Sequence, residues 1–168
     1  KDYSGGMREI PTQMLSIILE RAPIESRWAT HAWNLVGVVP DQGGETRAIV
    51  EDESLLQRLH PGFAVGLYRD EAEGYYLNAS SESPSVFVCL RIDEATGEPY
   101  PFVATLSYNE AARWMDSNER VERAPAWPEL AAWMAEWVNE NYRPEPKKRQ
   151  RPKSFEGKEG RLRERGSQ

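Results

Sequence analysis

Apolar and polar positions alternate along most of this chain in short runs that turn back quickly. Residues 14–22, MLSIILERA, read as a first strand closed by Pro23. Within residues 28–40, WATHAWNLVGVVP, positions 28–39 read as a second, stopped by Pro40. They set Trp28, His31 and Trp33 close together before the β-branched run of Leu35, Val36, Val38 and Val39, so we expect an interior strand entered through an aromatic corner. So short a connection makes the two strands antiparallel, because a parallel crossover needs about a dozen residues or more. Residues 41–45 are turn material, and 46–50 form a weaker third strand. Residues 51–59 read either as a helical turn or as a connecting loop, and His60-Pro61-Gly62 breaks whatever precedes it.

The second half is more sharply patterned. FAVGLYR (63–69) alternates as a strand, and Asp70 with Glu73 three positions on marks a helix start. That helix, 71–79, places Tyr75, Tyr76 and Ala79 against the sheet, although Gly74 costs it about 1 kcal/mol relative to alanine. SVFVCLRI (85–92) is the most β-like run, and 100–106 return as its hairpin partner across a turn containing Gly97. Ser107 and Glu110 form a second start signal, for a helix reaching Asp116. Residues 121–124 form a last edge strand. Pro128 then sits where a first helical residue is expected, and Leu130, Trp133, Met134 and Trp137 follow at helical spacing on a helix of 128–142.

Strands and helices do not alternate in a βαβ rhythm. The pattern predicts an α+β fold: a mainly antiparallel, curved or partly closed β-sheet with two or three helices packed on one face. The 168 residues suffice for one domain with a core, and for no more. We place that domain at 10–143, after a ragged or expression-derived terminus at 1–9 and before a basic disordered tail at 144–168. The tail holds few residues to bury, Phe155 and Leu162 being its apolar positions.

Charge divides at the same boundary. From Pro144 onward nine Lys/Arg meet four Asp/Glu, a net of +5, whereas the rest carries 12 basic and 23 acidic residues, a net of −11. Lys147, Lys148, Arg149, Arg151 and Lys153 form a basic cluster of the kind that meets phosphate or an acidic protein surface. An acidic body repels phosphate, which disfavours nucleic acid and favours a protein partner; the plainer reading is a solvated tail. No apolar run approaches the roughly 20 residues of a membrane helix. A start without a secretory pattern and a single cysteine point to the cytoplasm.

Motifs for chemistry are scarce. There is no phosphate-binding loop, dinucleotide fingerprint, zinc-protease motif or nucleophile elbow, so no catalytic residue is assigned. Two histidines without a cysteine pair make a structural zinc site improbable, and no metal is expected. The candidate binding residues are Trp28, His31, Trp33, Arg91 and Trp127. His31 reads as a tuned proton carrier or ligand contact, or more plainly as a half-buried strand residue bonded to the backbone. Trp28, Trp33 and Trp127 lie near corners where an indole could face a ligand or partner, against the usual core role. Cys89 could become reactive if Arg91 shares its face; a buried inert thiol is the plainer reading. His60, beside Pro61, reads as a loop residue. The clusters Glu51-Asp52-Glu53 and Asp70-Glu71-Glu73 read as solvated caps, and Asn78-Ala79-Ser80 as a glycosylation triplet without meaning here.

PIESRWATHAWNLVGVVP (23–40), residues 71–77, PSVFVCLR (84–91), TLSYNEA (105–111) and the closing Trp/Pro helix with its Lys/Arg tail resemble a bacterial family of unknown function. The likeness covers about residues 10 to 153. Genes of that family commonly lie beside those of molybdenum-dependent formate dehydrogenase, and some members carry the label of molybdopterin-guanine dinucleotide biosynthesis. The resemblance implies a non-catalytic accessory or assembly protein in maturation of that dehydrogenase, bound to one of its subunits or to a maturation factor. Its alternative is a protein or enzyme of molybdenum-cofactor biosynthesis that binds a pterin or guanine nucleotide at the corner of Trp28, His31 and Trp33. The resemblance supplies no catalytic residue.

Overall fold

A computed structural model of the protein describes residues 9–144. Strand β1 (Thr12–Pro23) pairs antiparallel with β2 (His31–Pro40) on one side and with β4 (Leu56–Gly66) on the other. The short β3 (Arg47–Glu51) lies on the outer edge of β4, giving the order β2-β1-β4-β3. A second antiparallel sheet has β5 (Ser85–Ile92) between β6 (Pro99–Thr105) and β7 (Arg120–Pro125). Helices α1 (Ala72–Ala79), α2 (Tyr108–Asp116) and α3 (Pro128–Asn141) complete the α+β fold. The expected antiparallel α+β class is what the chain adopts, its strands divided between two sheets that do not close.

Within β1 the alternate residues Leu15, Ile17 and Leu19 are fully buried, each contributing about 1.5–3 kcal/mol by removal from water. β2 brings Leu35 and Val38 to the same core although they are three residues apart. A shift in register makes this possible: Ile18 faces Gly37 and Leu19 faces Leu35, so Val36 is an extra bulged residue that exchanges the two faces. β2 is an edge strand, not the interior strand the sequence suggested. Its outer side meets β7 through side chains, with the Leu35 N–H donating to Glu122 Oε1 at 2.8 Å and Arg120 donating to the Trp33 carbonyl at 2.6 Å.

The largest departure from the sequence pattern is β4. The stretch 51–59, read as a helical turn or a connecting loop, and the breaker His60-Pro61-Gly62 belong in large part to one continuous strand. The register passes from Ile17 opposite His60 to Leu15 opposite Phe63, so Pro61 and Gly62 form a bulge and the strand continues beyond it. Gly62 takes φ +87°, which glycine adopts without strain. The Gly62 N–H donates to Asp41 Oδ1 at 2.9 Å, and Ser16 Oγ lies 3.1 Å from the same oxygen. These bonds, Gly62's first, hold the Asp41 carboxyl below its usual range. A turn-like tripeptide therefore survives inside a sheet because a carboxylate from the β2–β3 connection captures its free donor.

In the second sheet, Ser85 through Leu90 of β5 are all buried, as the β-branched and aromatic run predicts. Ser107 caps α2 by accepting from the Glu110 N–H at 3.0 Å, as expected. Gly74 has a packing reason: a Cβ there would meet Ser107 Oγ at 2.0 Å, so glycine permits the close approach of α1 to the start of α2. Asn78 is buried, donating to the Ser85 and Leu106 carbonyls at 2.7 and 2.9 Å and accepting from the Ser85 N–H at 2.9 Å. It ties helix to sheet. On α3, Leu130 and Met134 enter the core while Trp133 and Trp137 pack half-buried against it. Among the described residues no helix is long and apolar enough to cross a membrane.

Candidate functional site

The residues singled out from the sequence fall in three places. Trp28 belongs to the corner between β1 and β2, outside any strand, and exposes 86% of its surface. Ile24, at the start of that corner, is also exposed, and its N–H donates to the Thr30 carbonyl at 3.1 Å. His31 opens β2, exposed, with Nδ1 2.8 Å from the Thr30 hydroxyl; its ring engages a side chain, not the backbone. Trp33, two residues on, turns to the core side, half-buried, with the Arg58 guanidinium 4.9 Å and the Arg21 guanidinium 5.9 Å from its ring centre. The corner thus carries one indole into solvent and the next beneath two arginines.

Arg91 and Trp127 belong elsewhere. Arg91, near the end of β5, stacks 3.7 Å over the Phe102 ring and donates to Glu119 Oε2 at 2.8 Å. Cys89 Sγ lies 3.3 Å from Glu119 Oε1, and burial followed by this carboxylate pushes the thiol up to about 11. It stays protonated at neutral pH and has no nucleophile's character. Trp127 stands at the N-cap of α3, half-buried against the core. The basic cluster Lys147–Lys153 lies outside the described residues.

A third locus was not evident in the sequence. Between the bulged end of β4 and the β5–β6 hairpin opens a cavity of about 560 Å³, bordered by Arg58, His60, Phe63, Asp93, Glu98 and Tyr100 among others. Its position follows from register. His60 faces the fully buried Ile17 and Arg58 faces Leu19, so both strand residues point to the core side, where the hairpin covers them. Arg58 is held by Glu98 at 3.0 Å and by the face of Trp33. His60 is 8% exposed, a buried strand residue and not the loop residue its neighbouring proline suggested. Its Nε2 is buried without a hydrogen-bond partner. Burial, and secondarily the charge of Arg58, lowers its pKa to about 4, so the ring is neutral at pH 7. A neutral imidazole offers one donor and one acceptor and takes up no proton near neutrality.

Sequence reasoning missed this locus because its parts are far apart, on β4 and on the 93–98 turn, and nothing local marks either. The available signal was the glycine of His60-Pro61-Gly62, readable as a bulge as well as a break. Among the described residues no three His, Cys, Asp or Glu side chains converge as a metal ion would require.

Residues 14–151 match the family described as a protein of unknown function, DUF3305. No curated protein and no solved structure matches the chain. By the extent of that match, the chain belongs to the DUF3305 family.

Proposed function

We propose that this DUF3305 protein is a non-catalytic accessory protein that docks on a protein partner through the corner between β1 and β2. The observation that carries the reading is Trp28: an indole left 86% exposed at the tip of a corner, beside the exposed Ile24, is unfavourable in water and rewarded at an interface. A net charge of −11 on the residues before Pro144 suits a partner with a basic surface. The resemblance described above supports a specific partner, a subunit or maturation factor of a molybdenum-dependent formate dehydrogenase, with the protein acting in the enzyme's assembly in the cytoplasm.

Tagged protein expressed in its native host should co-purify with dehydrogenase subunits, and Trp28→Ala should lose them while remaining folded. Normal cofactor loading and formate oxidation in a strain lacking the gene would overturn the assembly role. The competing reading of the same corner, a pterin or guanine-nucleotide contact, requires that guanine nucleotides quench the fluorescence of Trp28. Quenching that disappears in Trp28→Ala would replace docking by ligand binding.

A further inference from the structure

Arg21 and Arg58 are the half-buried arginines among the described residues, and both lie against the ring of Trp33. Arg58 has a carboxylate, Glu98 at 3.0 Å, whereas no carboxylate among the described residues lies within ion-pair distance of Arg21. We propose that Arg21, beside Trp33, receives a side-chain carboxylate of the protein that docks at the corner between β1 and β2, a site that rests on the docking function proposed above.

Strand register sets the place. Pro23 faces His31 where the corner opens, and Arg21 faces Trp33 two residues further in, on the same side of β1 as the buried Leu19. On its other flank Arg21 faces Leu56 of β4, which is buried. A cation therefore stands at the outer limit of the core, two residues from the corner that carries Trp28. Its Nε is enclosed by the protein, which fixes the head group and keeps that atom from any ligand. The two terminal nitrogens are not enclosed and have no acceptor, so they are the donors a partner can reach.

Charge around the indole does not balance. The Trp33 carbonyl accepts from Arg120, which is paired with Glu122, and Arg58 is paired with Glu98. Both carboxylates are taken, and Arg21 is the remainder. Glu20, its chain neighbour, points to the other face of β1 and accepts from Gln57 Nε2 at 2.9 Å.

A guanidinium presents coplanar N–H groups that match the two oxygens of a carboxylate. One unbalanced cation suits one negative charge; a phosphate, with more, would also meet Glu98, Glu122 and the net −11 of the residues before Pro144. On a partner drawn to that acidic body, an acidic residue seated on Arg21 fixes orientation while Trp28 supplies the apolar anchor.

The test uses the full chain with ¹⁵N-labelled arginine and tryptophan, titrated with sodium acetate and with N-acetylaspartic acid α-amide against chloride at matched ionic strength. The Arg21 Nε–H and Trp33 indole signals should shift together and saturate, half-way at about 10–100 mM, as one charge-assisted pair without the rest of an interface gives. Arg21→Gln should abolish the Trp33 shift, and Arg21→Lys, which keeps the charge and loses the fork, should weaken it about threefold or more. Tagged Arg21→Gln expressed in the native host should retain less than about a tenth of the dehydrogenase subunits that the wild type captures. No saturating shift, a Trp33 shift undiminished in folded Arg21→Gln, or inorganic phosphate acting at lower concentration than acetate overturns the proposal. Capture lost in Trp28→Ala but kept in Arg21→Gln also overturns it and leaves docking standing. Saturation at Arg21 with no subunit captured even by the wild type removes the docking reading instead, and overturns the assignment of the carboxylate to a partner's side chain.

Discussion

The chain makes two abrupt changes of direction near its two histidines, and they resolve in opposite ways. In the corner between β1 and β2 the backbone leaves the sheet, and Trp28 and His31 end in solvent. In the β4 bulge the backbone stays in the sheet, and His60 is turned beneath it with Arg58 and Phe63. What separates them is where the spare backbone donors go. The corner closes through bonds of its own, Ile24 N–H to the Thr30 carbonyl and Trp28 N–H to Ser26 Oγ. The bulge is closed from outside, by Asp41 accepting from Gly62 and Ser16 donating toward the same carboxylate. A turn closed within itself is free to leave the sheet, whereas one captured by a neighbouring element is held in it. The first makes a protruding surface and the second makes a wall.

The sharpest way to break this contrast is by pH. His60 has a folded-state pKa of about 4 against an ordinary value of 6.5. Between those values the unfolded chain binds the proton that the folded chain refuses, so stability falls as pH drops through this window and is unaffected by this group above it. The shift corresponds to about 3 kcal/mol lost by pH 4. His60→Gln should remove that share: denaturant unfolding of wild type and variant at pH 7.5, 5.5 and 4.5 should show the wild type losing more stability toward acid. Parallel pH dependences would mean that the ring is hydrated, and the wall described here open.

Next in size is the backbone of the bulge itself. Gly62→Ala meets no atom within 4 Å of the new Cβ, so any loss reports the positive φ alone. About 1–2 kcal/mol is expected, read as a lower denaturation midpoint with an unchanged slope. A smaller expected effect attaches to the capture. Asp41→Ala should leave the global fold in place and speed hydrogen exchange at the Gly62 amide several-fold, because local opening near the bulge becomes easier. Unchanged exchange would show that the strand, not the carboxylate, holds the bulge.

These two regions also mark how far the sequence could be read. Residues 85–92 were recognisable as a strand because their β-branched, aromatic run serves one purpose on both faces, and Ser107 as a cap because the cap is a contact over three residues. The stripe on α3 was readable for the same local reason. His60-Pro61-Gly62 was misread because whether a glycine turns the chain or bulges a strand depends on Asp41, which lies 21 residues earlier and in another element. The exchange of faces in β2 is likewise decided by pairing with β1, not by β2 itself. Asn78 stands in the sequence only as part of a triplet without meaning, and in the fold it is a buried clamp, because its partners Ser85 and Leu106 are brought to it from elsewhere in the chain. Trp28 was conspicuous as a letter, yet its exposure was not legible, since burial is set by what covers a residue and this one keeps 86% of its surface exposed.

The least effect on stability is expected where the sequence looked most distinctive. Trp28 exposes 86% of its surface, and its backbone N–H reaches only Ser26 Oγ within the corner, at 3.0 Å. Truncating a side chain so little buried removes almost no apolar area from the folded state, so Trp28→Ala should alter unfolding free energy by no more than about 0.5 kcal/mol. Partner capture should nevertheless fall steeply, because an aromatic anchor at an interface centre can cost 2 kcal/mol or more, roughly thirtyfold in affinity, when truncated. The two measurements must be made on one preparation. Stability kept and capture lost identifies the indole as an interaction group; stability lost with capture would mean that the corner is packed, and that its apparent protrusion does not describe the folded protein in solution.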